Sequence, residues 1–185
     1  MSTIVQTQTT SFKKELYQGI HDLSTDTIYI ALYTALADLN AATTVYSSSN
    51  EVVATGYTAG GQIMTGVSIN TDGYTAYVNW NNVSWTSALT ARCALIYNVT
   101  KGNKSVAVLD FGSDKTSTST FTITMPTNTA TSALIRSSNW LLRLPKVIWT
   151  IPCLSAGTVP WIMTLNTQLG LSIGWMASLS TGQSM

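Results

Sequence analysis

Apolar and polar residues alternate along much of the chain with a period of two, the spacing of a strand with one buried face. Ile28, Ile30 and Leu32 alternate with Tyr29, Ala31 and Tyr33, and both sets are hydrophobic. Residues 27–34 are therefore expected to form a central strand with two useful faces. The alternation is weaker through Ile63, Thr65, Val67 and Ile69, and resumes through Tyr74, Ala76, Val78 and Trp80. Between them, Asn70-Thr71-Asp72-Gly73 signals a tight turn, because Asp-Gly supplies positive φ. This predicts a hairpin over residues 62–80. A second hairpin is expected over 92–111, where an apolar run ending at Asn98 meets the turn Lys101-Gly102-Asn103-Lys104 and returns through Phe111. Residues 83–86 read as a short strand or turn, and 112–119 as a polar loop. Phe121, Ile123 and Met125 share one face of a strand that Pro126 ends. Residues 133–136 are a last short β segment.

The period changes near the start. Phe12, Leu16 and Ile20 recur at helical spacing, which predicts a short helix over 12–20 with Ser11 as its N-cap. Residues 1–10 are polar and Thr-rich, an extended arm or disordered lead-in. Residues 35–51 are ambiguous, with room for a helical turn near 36–39. Residues 55–61 form a turn-rich connector. Frequent turn signals point to a mainly β fold, a β-sandwich with one short N-terminal helix. Jelly-roll and immunoglobulin-like connectivity both fit. The expected organisation is an arm over 1–10, a sandwich over 11–136 and a C-terminal extension over 137–185.

The extension differs in texture. It holds Trp140, Trp149, Trp161 and Trp175, four of the six Trp, and Pro145, Pro152 and Pro160. The uncharged stretch 161–179 approaches the length of a membrane span. Asn166, Thr167, Gln168 and two Gly dilute it, so no membrane partner is expected. The preferred reading is a docking arm that buries its four Trp against another subunit, since buried aromatics tend to dominate interfaces. A poorly selected extension is the other.

Composition narrows the function classes. Only 9% of residues are charged and the formal net charge is +1, while Thr and Ser number 30 and 21. A nucleic-acid binder would show clustered Lys and Arg. Hydrophobic residues at 45% exclude a charged disordered tail. The two Cys, Cys93 and Cys153, are too few for a disulfide scaffold. Cys93 lies in an apolar run, where a free Cys behaves as a small buried hydrophobe. The N-terminus lacks a basic stretch followed by an apolar one, so synthesis in the cytoplasm is expected.

Candidate chemistry is sparse. His21, the only His, precedes Asp22, but no nucleophile motif accompanies them. A capping or turn role is expected, and no enzymatic activity. One His and two distant Cys predict no zinc site, and the scattered acids no calcium loop. No cofactor is expected. Tyr29, Tyr33, Tyr74, Tyr77, Trp80 and Trp85 could stack on a glycan or base, but strand aromatics are more often core. Asn82, Asn98 and Asn103 begin glycosylation triplets that the Ser and Thr content makes common by chance.

Four segments together resemble a family of small virion proteins of tailed bacteriophages. They are Phe12 to Leu16 leading into Thr27 to Ala35, Val52 to Gly61, Ala91 to Asn98, and Lys104 to Lys115. A Phe-Thr-Ile-Thr-Met-Pro strand and Ala133-Leu134-Ile135-Arg136 complete the pattern, which spans residues 10–136. The resemblance implies a non-enzymatic head-decoration or cement protein, or a tail- or fibre-associated one. The implied partners are the major capsid protein and copies of the chain itself, as a homo-oligomer on the virion. The family pattern ends near Arg136, so 137–185 is a departure from it.

Overall fold

The computed structural model describes residues 3–138. The fold is mainly β and antiparallel, with one short helix. A five-stranded sheet is the backbone of the domain, in the order β1 (Thr7–Gln8), β8 (Lys104–Thr116), β7 (Thr90–Asn98), β2 (Ile28–Tyr33), β3 (Gln62–Ile63). A three-stranded sheet runs β10 (Ile135–Ser138), β5 (Thr75–Asn79), β4 (Ser68–Asp72), and β6 (Val83–Trp85) pairs with β9 (Phe121–Ile123).

The five-stranded sheet is covered on both faces, as the two apolar sets of β2 require. Ile28, Ile30 and Leu32 face a core shared with Ala94, Ile96 and Val106, which Trp80, Trp85, Phe121, Ile123 and Ile135 close from the smaller sheets. Ala31 and Tyr33 join Cys93, Leu95, Tyr97 and Val108 in a second core, capped by Ala37 and Leu39. Full burial of each such aliphatic side chain stabilises the fold by about 1.5–3 kcal/mol.

The expected hairpin over 92–111 forms and is longer, with β7 and β8 paired antiparallel from Asn98↔Lys104 to Thr90↔Thr116. Residues expected as a polar loop continue β8 through Thr116. The ladder survives there by a register shift between Ala91 and Cys93, which lets β8 bulge around Phe111–Asp114.

The expected hairpin over 62–80 is corrected. Residues 62–63 belong to the other sheet, where Ile63 pairs with Tyr29. The true hairpin is β4–β5, with Asp72 opposite Thr75 and a two-residue loop of Gly73 and Tyr74. Gly73 has φ +53 and Tyr74 has negative φ, the pattern of a type II′ turn. The turn is thus centred one residue later than Asp-Gly suggested, and Tyr74 sits in it, 80% exposed.

Helix α1 spans Thr10–Tyr17, and Thr9 rather than Ser11 is the N-cap, its hydroxyl accepting from the Phe12 N–H. The end is set by Gly19 N–H donating to the Leu16 carbonyl and Ile20 N–H to the Glu15 carbonyl, the Schellman pattern. The expected Phe12–Leu16–Ile20 face is also corrected: Phe12 and Glu15 are buried, and Leu16 is 38% exposed. Residues 4–10 are woven into the domain rather than free. Ile4 bridges Leu39, Thr7 and Gln8 pair with Val108 and Ala107, and Thr9 is fully buried. At the other end β10 runs through Ser138, two residues past the expected boundary, with Ser137 opposite Ala76 and Ser138 opposite Thr75.

Candidate functional site

Two buried polar clusters and one projecting sheet are the candidates. The first cluster is built by the helix end, the loop that follows it and the β7–β8 turn. His21 donates from Nε2 to Glu15 Oε2 at 2.9 Å and accepts at Nδ1 from the Asn98 amide at 2.9 Å. Those two bonds assign the Nε2–H tautomer. Lys104 Nζ donates to the other Glu15 oxygen. Asn98 also donates to Asp26 Oδ2 at 2.8 Å and accepts from the Lys101 N–H, while Lys101 Nζ lies 3.3 Å from Asp26 Oδ1. Burial pushes the Glu15 carboxyl up, but the bonds from Lys104 and His21 outweigh it and hold it below its ordinary value. Burial likewise raises Asp26, and its bonds from Asn98, the Asp22 N–H and Lys101 bring the net shift down.

This cluster explains why Glu15, not Leu16, faces inward. A buried carboxylate is costly unless it is paired and hydrogen-bonded, and Glu15 has both kinds of partner. His21 therefore has a structural place: both ring nitrogens are occupied, and Asp22 turns instead to Ser24. Asn98, the first residue of one glycosylation-like triplet, is fully buried.

The second cluster centres on Glu51. Tyr46 donates to Oε2 at 2.6 Å, and Tyr57 and the Gly60 N–H donate to Oε1 at 2.7 Å each. The Tyr57 hydroxyl accepts from the Leu32 N–H at 2.8 Å, and Tyr97 donates to the Gly60 carbonyl at 2.7 Å. Tyr46 stacks on Tyr97 at 4.6 Å. Burial first, and then the Glu51 carboxylate, pushes Tyr33, Tyr46 and Tyr57 well above the usual phenol value, and Tyr97 up to about 12. The cluster clasps the connector 45–61 onto β2 and β7. Gly61 lets it lie flat: a Cβ there would stand 1.9 Å from the Ile30 carbonyl oxygen, and its φ is +75.

The aromatic set divides. Tyr33, Trp80 and Trp85 are buried, Tyr29 and Tyr77 half-buried, and Tyr74 exposed. They do not form one exposed platform. Burial pushes the Cys93 thiol up to about 12, in keeping with a small core residue. The four interface candidates Trp140, Trp149, Trp161 and Trp175 lie outside the described residues, as does Cys153. Among the described residues no group of three or more His, Cys, Asp or Glu is placed to hold a metal, and no helix is long and apolar enough to cross a membrane.

Two open furrows share Thr116 and Ser117. One, of about 480 Å³, runs between Phe111 and Phe121, and the other, of about 410 Å³, lies beside Val53 and Leu89. Both are shallow surface features. The third candidate is the β10–β5–β4 sheet. Its inner row, Ile135, Val78 and Ile69, starts in the core, and the rows beyond it emerge from the domain. Ser137, Ser138, Ala76, Thr71 and Asp72 are exposed. No family model matches the chain, and no curated protein or solved structure matches it.

The sequence alone assigned no buried-cluster role to Glu15, Asp26, Glu51, Asn98 or Lys104. The available signal was local: Asn98 ends an otherwise apolar strand, and Glu51 sits in a stretch with no cation beside it.

Proposed function

We propose that the chain is a non-enzymatic structural protein of a tailed-bacteriophage virion, a decoration or cement protein that binds the assembled head. Its partners are the major capsid protein and copies of itself, without nucleic acid, membrane or cofactor. It is made in the host cytoplasm and ends on the virion. The family resemblance over residues 10–136 motivates the reading. The observation that carries it is the projecting β10–β5–β4 sheet, whose outer rows offer Ser, Thr, Ala and Asp to a neighbour. Its last strand leads directly into residues 139–185 with their four Trp. A protein that binds only the assembled shell stabilises that shell by linkage. Two tethered contacts, a sheet and an arm, gain by effective concentration. Residues 4–10 are paired within the domain, so in this reading the sheet and residues 139–185 carry the contact.

A glycan-binding appendage is the weaker reading, since Trp80 and Trp85 are 5% and 1% exposed. Quantitative mass spectrometry of purified particles tests the proposal. A copy number equal to the major capsid protein, or a simple fraction of it, supports shell decoration. About six to a few dozen copies would move the chain to the neck, tail or fibre, whose symmetric rings have few subunits. Absence from the particle overturns the virion reading.

A further inference from the structure

We infer that β4 pairs edge to edge with β4 of a second copy, giving a two-fold dimer with one continuous six-stranded sheet, β10–β5–β4–β4–β5–β10. Among the described residues no strand pairs with the outer edge of β4. Natural sheets guard such edges with very short strands, Lys, Pro, bulges or covering segments. The other edges here show those devices. β1 and β3 have two residues each, β10 carries Arg136, and the outer half of β8 bulges at Gly112 and carries Lys115. β4 has five residues, Ser68-Ile69-Asn70-Thr71-Asp72, paired to β5 without a bulge, and holds neither Lys nor Pro.

The edge is also self-complementary. Asp72 and Thr75 flank the two-residue loop, so they form a hydrogen-bonded pair. Alternation along the antiparallel ladder then turns the N–H and C=O of Ile69 and Thr71 outward. Two copies related by a two-fold axis beside Asn70 place Ile69 opposite Thr71 of the second copy, and Thr71 opposite its Ile69. Four backbone hydrogen bonds result. The only charge, Asp72, meets Ser68 rather than another Asp72. Ile69, 51% exposed at the end of the apolar Ile135–Val78–Ile69 row, is covered by its counterpart's edge. Asn128 donates to the Ser68 side-chain hydroxyl, not to a backbone group of the edge. The interface is isologous, the commonest form of symmetric association.

The inference stands apart from the virion reading, because its test uses the purified full-length chain in solution. Sedimentation over a wide concentration range should give a two-copy mass, and residue-resolved amide exchange should show Ile69 and Thr71 protected when concentrated and released on dilution. Ile69→Lys, which puts a charge at the unguarded edge, should weaken the dimer about tenfold or more. Its thermal midpoint at high dilution should match the parent. Should that variant fail to fold, exchange in the parent chain decides. A chain that stays monomeric with Ile69 and Thr71 exchanging freely overturns the inference. So does a dimer indifferent to Ile69→Lys, or protection of those amides that appears only when capsid shells are added.

Discussion

The five-stranded sheet and the three-stranded sheet are both antiparallel and rich in β-branched residues, yet they are held very differently. β2 and β7 are buried on both faces, between two cores. The β10–β5–β4 sheet touches a core with one row and then leaves it. The contrast teaches that strand pattern alone does not rank strands by importance to stability. What ranks them is whether the second face has a cover. Here the cover is residues 35–46 and the N-terminal arm, segments with little periodicity of their own.

That contrast can be broken most sharply at Gly61. Gly61→Ala drives a Cβ into the Ile30 carbonyl and strains a positive φ. It should cost about 3–5 kcal/mol or prevent folding, read by urea denaturation. Next come the doubly covered positions. Ile30→Ala and Leu95→Ala, both fully buried, should each cost about 2–5 kcal/mol by the same measurement. Glu51→Ala should cost about 1–3 kcal/mol, because it strands the Gly60 N–H and two Tyr hydroxyls. The smallest effect belongs to the projecting sheet: Tyr74→Ala should change stability by less than about 0.5 kcal/mol. A Tyr74 variant as damaging as Ile30→Ala would erase the distinction between the sheets.

pH sharpens the same comparison, since the shifted groups lie in the clusters around the large sheet. Tyr33, Tyr46, Tyr57 and Tyr97 have raised values in the folded state, so the folded chain holds protons that the unfolded chain gives up first. Stability is then complete below the ordinary phenol value of 10.0 and falls as pH rises above it. Glu15 and Asp26 are lowered, so their contribution is complete above the ordinary values of 4.5 and 3.8 and is lost as pH falls below them. Thermal midpoints should therefore fall above about pH 10 and below about pH 4, with a plateau between. Tyr46→Phe should reduce the alkaline loss.

Much of the fold was legible in the sequence, for reasons that trace to particular residues. Two hydrophobic sets in β2 announced a sheet covered twice. Phe121, Ile123 and Met125 announced one buried face, and all three are buried. The helix face failed because periodicity counts Leu16 as inward and cannot see Lys104, 89 residues away, drawing Glu15 in. The hairpin over 62–80 failed because residues 64–67 alternate too weakly to reveal a change of sheet. The Glu51 clasp stayed hidden because its donors, Tyr46, Tyr57 and the Gly60 N–H, lie in one turn-rich connector without periodicity, and one of them is a backbone N–H.

The placement of β1 has a kinetic meaning. Thr9 bonds the carbonyl of Ser105, 96 residues further along, and Thr7 pairs with Val108. Closing so long a loop is entropically expensive before any contact rewards it, and such distant pairings slow folding. During synthesis β1 is made before β8 and must wait for it, which at about 5–20 residues per second is several seconds. Strand β1 is thus made well before its partner and is among the last elements to find its place, and a helper that shields it would act in that interval.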